Sequence, residues 1–459
     1  MFTIDFNKPL HIHFIGIGGI SMSGLAEVLL QEGFHVTGSD AKESPLTDRL
    51  EEKGAVIHYG QRASNIAPDT ELIVYTAAIS PENPEYVRAI EMSIPMLTRA
   101  QLLGQIMKNY DLPIAVSGTH GKTTTTSMIS QILLEGDCDP TISVGGILPS
   151  IQGNIRVGNS ETFITEACEY TNSFLSLFPK VGIILNMDAD HLDFFKDIDD
   201  IRHSFRKFAE LIPEDGTLII NSDTPCYEMI TADLKCRVIT YGLNNPAIFT
   251  ADNINYDQEG FASFDCIQNG EKIATYQLKV PGIHNVSNAL AAIATASILG
   301  LEQATIQAGF SAFHGTNRRF QIKGTVGGVT IVDDYAHHPT EIRATLNSAA
   351  NFPHKKLWCV FQPHTYTRTK ALLDDFADAL TLADEIVLCD IYAAREKNTV
   401  GISSKDLQKK ICELGGTCTY LPTFDAIENF LLEHCAPGDL LITMGAGDVV
   451  NIGEKLLGA

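Results

Sequence analysis

The chain of 459 residues has no CxxC pair among its ten cysteines, no long uninterrupted apolar run, and few bases to set against its acids. Each shortage excludes something. The cysteines, at 138, 168, 226, 236, 266, 359, 389, 412, 418 and 435, lack metal-thiolate spacing and read as reduced thiols of a cytoplasmic protein. A membrane helix needs about 20 consecutive apolar residues, and no stretch approaches that. The opening "MFTIDFNKPLHIHFIGIGG" lacks the basic-then-apolar order of a secretory signal. With 33 Lys and Arg against 56 Asp and Glu, the net charge of −23 argues against a broad footprint on nucleic acid or an anionic membrane. Low-complexity segments and fixed-period repeats are also absent.

What is present is a globular composition, 44% hydrophobic and 19% charged, at a length that suggests about three domains. "HIHFIGI" at 11–17 is an apolar run suited to a buried parallel strand. Glycines 16, 18 and 19 follow, then the helical pattern "SMSGLAEVLLQEG" and a second strand, "HVTGSD". This β–turn–α–β order opens a Rossmann-like sheet. The same order restarts at "LPIAVSGTHGKTTTTSMISQILLEG" and again at "GVTIVDDYAHHPTEIRATL". The expected organisation is therefore α/β throughout, with domains over 1–110, 111–315 and 316–459.

The second start carries Gly118-Thr119-His120-Gly121-Lys122-Thr123-Thr124 between an apolar strand and a helix. The usual GxxxxGK[ST] phosphate loop is not met, because Val116 stands where its first glycine belongs. Backbone amides at a helix start still point at an anion, Lys122 can neutralise phosphate, and the Thr123 hydroxyl can ligate Mg²⁺. A threonine N-cap with a solvated lysine is the competing reading. Glu166 and Glu169 end one expected strand, and Asn186, Asp190 and His191 follow another; hard cations take such oxygen ligands, and surface caps use them too. "GIGGISMSG" is an incomplete dinucleotide fingerprint, with Ser21 at its third glycine position and Asp40 placed for a ribose hydroxyl; NAD, FAD and UDP all remain open. His337 and His338 are adjacent, and their side chains diverge too far to share a metal readily. Arg368 can grip a carboxylate through two parallel bonds or form a surface ion pair.

Taken in order, "HFIGIGGISMSG", "GTHGKTTTT", "DADHLD", "PGIHNVSNALAA", "NRRFQ", "DDYAHHPTEI" and "VFQPHTYTRT" resemble the Mur ligases of peptidoglycan synthesis, from about residue 11 to "MGAGDV" at 444–449. The resemblance implies an N-terminal Rossmann-like UDP-sugar domain, a central P-loop ATPase-type domain and a C-terminal Rossmann-like amino-acid domain. It assigns Gly18, Gly19, Ile20, Ser21 and Asp40 to UDP, and the short loop of Gly118, Thr119, His120, Gly121, Lys122, Thr123 and Thr124 to ATP. His284, Asn285 and Asn288 fall to the adenine side, and Arg319 and Asp334 to the ATP phosphates and ribose. Thr123, Glu166 and His191 would bind Mg²⁺, with Lys122, Glu166 and His191 carrying the chemistry. Tyr335, His337, His364 and Arg368 would receive the amino acid.

Two positions depart from the family pattern: "EACEY" stands for the common "EADES", and Thr365 follows His364 where many alanine-adding members have arginine. Carboxylate recognition then falls to Arg368. The implied reaction is ATP-driven amide formation between UDP-N-acetylmuramate and L-alanine through an acyl phosphate, in the cytoplasm, by a monomer or weak homo-oligomer. A ligase that returns a preformed tripeptide to the same sugar is the near alternative, and a Rossmann dehydrogenase the distant one.

Overall fold

Apolar runs without alternation become strands buried on both faces, as parallel sheets require. All five residues of β1 (His11–Ile15) are buried. The computed structural model describes residues 2–76, 79–192, 194–394 and 396–458, so Asp193 of "DADHLD" lies outside it. The chain falls into two compact units, Met1–Met187 with Ile198–Thr240, and Asp188–Asp197 with Tyr241–Ala459.

The first unit begins with a five-stranded sheet of β1, β2 (His35–Asp40), β3 (Val56–Tyr59), β4 (Leu72–Tyr75) and β5 (Met96–Thr98), in the order β3-β2-β1-β4-β5. Every pairing is parallel, and reversal of strand order beside β1 gives the crevice where α/β sheets bind ligands. A second sheet follows, from β6 (Leu112–Ser117), β7 (Thr141–Leu148), β8 (Gly153–Arg156), β9 (Thr162–Ala167), β10 (Val181–Ile184), β11 (Thr217–Asn221) and β12 (Arg237–Tyr241). Their order is β12-β11-β10-β6-β9-β7-β8. The strand that precedes the lysine loop, β6, therefore sits centrally, parallel to both β10 and β9.

In the second unit, β13 (Phe249–Tyr256), β14 (Phe261–Gln268) and β15 (Glu271–Pro281) make an antiparallel meander. The C-terminal sheet comprises β16 (Gln321–Val326), β17 (Val329–Asp334), β18 (Leu357–Phe361), β19 (Glu385–Leu388), β20 (Cys418–Tyr420) and β21 (Leu440–Met444). Its order is β16-β17-β21-β18-β19-β20, parallel except at the β16 edge. Side chains alternate between two cores: Val332, Cys359, Phe361 and Ile442 pack on one face, Ile331, Trp358, Val360 and Leu441 on the other. The fold is thus α/β with Rossmann-like and P-loop sheets, in keeping with the sequence reading. All ten cysteines are free thiols. Among the described residues no helix is long and apolar enough to cross a membrane.

Candidate active site

The lysine loop is built by glycine. Gly118 has φ +141°, and a Cβ there would stand 2.9 Å from Leu185 Cβ. Gly121, at φ +83°, turns the chain into the helix Lys122–Glu135. Only glycine adopts these conformations without strain. Asn186 fixes the loop from β10: its carbonyl accepts the Thr119 N–H at 3.2 Å, and its side chain accepts the His120 N–H at 2.8 Å. The first helical bond runs from Thr125 to Gly121, and no side chain caps the helix. The N–H groups of Lys122, Thr123 and Thr124 therefore project from the helix start, as an anion site requires.

Lys122 turns back across its own loop. Its Nζ donates to Gly118 O at 2.5 Å, to Thr119 O at 3.1 Å, and to Glu169 Oε2 at 2.9 Å. Burial disfavours the ammonium, but the Glu169 carboxylate outweighs it and raises the lysine pKa above its ordinary value. The lysine is cationic whenever phosphate arrives.

Beside this loop lies a cleft of about 140 Å³ lined by Ser21, Arg99, Gly145, Glu166, Cys168 and neighbouring apolar side chains. Glu166 stands on β9 in register with Val116, two residues before Gly118. Its Oε1 accepts the Gly145 N–H at 2.5 Å, and a Cβ on Gly145 would come within 2.9 Å of both carboxylate oxygens. Gly145 is thus a cradle for that carboxylate. Together with the Thr123 hydroxyl at the helix start, it offers the oxygen donors a hard cation takes, so these donors fit Mg²⁺. His191 belongs to the second unit, and its assignment to the same ion rests on the sequence resemblance.

Ser21 enters the cleft because the first helix, Ile20–Gln31, rests on the β7–β8 hairpin. Asn154 donates to Ile20 O at 3.1 Å, and Gly24 lets the helix approach Ile155. Gly18 donates its N–H to Asp40 Oδ2 at 2.8 Å, so Asp40 closes the glycine loop upon itself. Gly19 ends the loop as the N-cap of that helix without a side-chain cap.

In the second unit the four expected amino-acid residues form one cluster. Tyr335 and His337 rings lie 5.4 Å apart, and His337 and His364 5.7 Å. Arg368 donates through Nε and Nη2 to Asp190 Oδ1 at 3.3 and 3.2 Å, and through Nη1 to His364 Nδ1 at 3.3 Å. Arginine has no acceptor, so His364 receives at Nδ1 and carries its own proton at Nε2. His337 Nδ1 meets Tyr335 O at 3.0 Å; that nitrogen must donate, which leaves a lone pair on Nε2. Burial, then His337 and Arg368, hold the His364 pKa down at about 4. Both groups are thus neutral at pH 7, since burial also lowers His337. Burial works against ionised Asp190, yet Arg368, His191 and His338 outweigh it and bring its pKa to about 2.

The remaining expected residues are positioned by local hydrogen bonds. Asn285 donates to Pro281 O at 2.7 Å and accepts from Asn288 at 3.0 Å, so both lock the start of the helix Ile283–Ile298. His284 is exposed beside them. Asp334 accepts the N–H groups of Phe320 and Ala336, each at 2.7 Å. Its burial pushes the carboxyl up to about 6 against the opposing pull of Arg319. Arg319 lies over the Tyr335 ring at 5.3 Å and 3.9 Å from Glu341.

Sequence reasoning did not single out Gly145, Arg99 or Asp190 as partner to Arg368. Arg99 starts the helix Arg99–Met107, half-buried in the cleft, with no carboxylate partner among the described residues. Its only local signal was the Thr98 capping box.

Three family models and several relatives match this chain. The models "Mur ligase family, catalytic domain", "Mur ligase middle domain" and "Mur ligase, glutamate ligase domain" match residues 11–111, 116–296 and 318–447. The chain is 61% identical to the UDP-N-acetylmuramate–L-alanine ligase of Agathobacter rectalis over 100% of both chains. The crystal structure of the UDP-N-acetylmuramate–alanine ligase of Thermotoga maritima superposes with TM-score 0.81 at 30% identity, covering 98% of each chain. A murein peptide ligase from Psychrobacter arcticus follows at 0.71 and 27%, again covering 98% of each. With all three domain models matched in order and a full-length relative at 61% identity, this chain belongs to the Mur ligase family.

Proposed function

We propose that this protein joins L-alanine to the carboxylate of UDP-N-acetylmuramate in peptidoglycan precursor synthesis, converting ATP to ADP and phosphate. The observation that carries this reading is the cleft shared by Ser21 of the glycine loop and Glu166 beside the lysine loop. An acid held by its UDP end at the first loop meets the phosphate loop with its other end. The name of the 61% identical relative supports alanine as the acceptor.

The uncapped N–H groups of Lys122, Thr123 and Thr124, with the Lys122 ammonium, hold the terminal phosphates of ATP in line with that carboxylate. Gly118, Thr119, His120 and Gly121 shape the loop; by the family resemblance, His284, Asn285, Asn288, Arg319 and Asp334 would also serve the nucleotide. Gly18, Gly19, Ile20, Ser21 and Asp40 hold UDP, and Arg99 faces the acid end of the sugar as its counter-charge. Thr123, Glu166 and His191 would hold Mg²⁺, which when bound neutralises charge on the transferring phosphoryl group. Transfer of the γ-phosphoryl group makes an acyl phosphate, the alanine amine attacks its acyl carbon, and phosphate leaves. Arg368 takes the alanine carboxylate, steadied by His364, while the His337 Nε2 lone pair can receive a proton from the amine. The setting is cytoplasmic, and the working form a monomer or weak homo-oligomer.

Phosphate release with UDP-N-acetylmuramate, Mg²⁺ and ATP, comparing L-alanine with an L-alanyl tripeptide as acceptor, tests the reading. Turnover with alanine is expected. Turnover with the tripeptide and none with alanine would move the protein to the peptide-returning branch.

A further inference from the structure

At the opposite end of β1 from the glycine loop, three side chains able to ligate a metal converge. His11 and His35 are register partners on adjacent parallel strands, with ring centroids 4.2 Å apart. Asp69, in the segment before β4, brings Oδ2 to 3.3 Å from His11 Nδ1. One ligand atom from each of the three lies within 4.8 Å of the others. His35 and Asp69 are exposed, whereas His11 is only 6% exposed and its Nδ1 has no hydrogen-bond partner.

A buried network of Thr37, His13 and Glu85 lies behind them. The Thr37 hydroxyl touches His11 Nε2 at 3.1 Å and His13 Nδ1 at 2.8 Å, and it has one proton to give. His13 Nε2 faces Glu85 Oε2 at 3.8 Å, and with its proton there the His13 Nδ1 accepts from Thr37. In that tautomer His11 Nε2 donates to Thr37, and the lone pair of Nδ1 faces Asp69, free for a metal. Two acceptors 3.3 Å apart repel unless a positive centre lies between them.

We propose that His11, His35 and Asp69 bind a divalent transition-metal cation of the zinc class, at a site distinct from the magnesium–nucleotide site. Two imidazoles and one carboxylate are borderline-soft donors, better matched to zinc than to Mg²⁺. Bonds of about 2.0–2.1 Å to a tetrahedral zinc put ligand atoms roughly 3.3 Å apart, which is the separation of His11 Nδ1 and Asp69 Oδ2. The Thr37 contact to His11 Nε2 is the outer-shell hydrogen bond that metal-ligating histidines use to fix their tautomer. Water completes the coordination on the exposed side. The ion fastens the starts of β1 and β2 to the segment before β4, so its effect falls on stability and not on turnover.

The test uses the full chain, freed of metal and then titrated with Co²⁺ and Zn²⁺ in excess Mg²⁺, beside His35→Ala and Asp69→Asn. Both positions are exposed, so folding is retained, and unchanged phosphate release checks it. The wild type should bind one more equivalent than either variant, show the intense visible absorption of tetrahedral cobalt, and gain melting temperature with Zn²⁺. Equal stoichiometry in all three proteins, or no cobalt absorption in the wild type, overturns the proposal.

Discussion

Replacing Gly145 with alanine tests whether Glu166 acts from the position it holds beside the lysine loop. Gly145 is exposed and its φ is not positive, so alanine brings no backbone strain of its own. The added methyl would stand 2.9 Å from each oxygen of Glu166, closer than carbon and oxygen tolerate. The carboxylate must move, and the 2.5 Å bond from Gly145 N–H is lost or bent with it. A hydrogen bond to a charged group contributes about 1.5–3 kcal/mol. If that interaction positions the transition state, kcat should fall roughly 10- to 150-fold, since each 1.36 kcal/mol is tenfold. The assay is phosphate release across a Mg²⁺ titration, and the Mg²⁺ requirement should rise as kcat falls. The melting temperature should stay within a few degrees, because no core contact changes. Wild-type kcat with an unaltered Mg²⁺ requirement would refute the role given to Glu166.

Three further outcomes follow from the geometry. Lys122→Met removes the ammonium that donates to Glu169 Oε2 at 2.9 Å and should lower the melting temperature, and Lys122→Met with Glu169→Gln should regain part of that loss but not phosphate release; turnover in the double variant would sink the phosphate role of Lys122. Arg368→Lys cannot reproduce a bidentate grip, so the KM for alanine should rise at least about tenfold while that for ATP stays constant, and an unchanged alanine KM would assign Arg368 to structure alone. Asp190 is depressed to about 2 in the folded protein, below its ordinary 3.8, so its contribution is present above about pH 4. That contribution, about 2 kcal/mol, is lost as pH falls through 2. Acid unfolding of Asp190→Asn should accordingly show a flatter stability slope between pH 4 and 2 than the wild type, and parallel slopes would contradict the pairing.

The lysine loop was legible as a glycine turn between strand and helix, because such a turn is local. Gly118, Gly121 and Lys122 lie within five residues, and the strand before and helix after them announce themselves by composition. Asp40 and Asp334 were legible as strand-end acids, but not what they touch. Each accepts backbone N–H groups, Asp40 from Gly18 and Asp334 from Phe320 and Ala336. Arg368 was read as a carboxylate binder, yet the carboxylate it meets in the structure is Asp190, 178 positions away. Gly145 carried no signal, since an exposed glycine in a strand looks like any turn or bulge. Arg99 was hidden in the same way, as an ordinary first residue of a capped helix.

By itself, then, the sequence determined the alternation of buried strands and helices, the two glycine loops, and the ordered motifs that place the chain among the Mur ligases. Each of these depends on residues close together in the chain, where apolar period, glycine conformation and helix capping act. Tertiary structure decided that Gly145 cradles Glu166, that Ser21 opens into the same cleft, and that His11 meets His35 and Asp69. Those contacts depend on strand order and register, on β9 lying between β6 and β7 and on β1 pairing β2 in step. Register is set by packing of the whole sheet, and a shift of one residue would turn every such side chain to the other face.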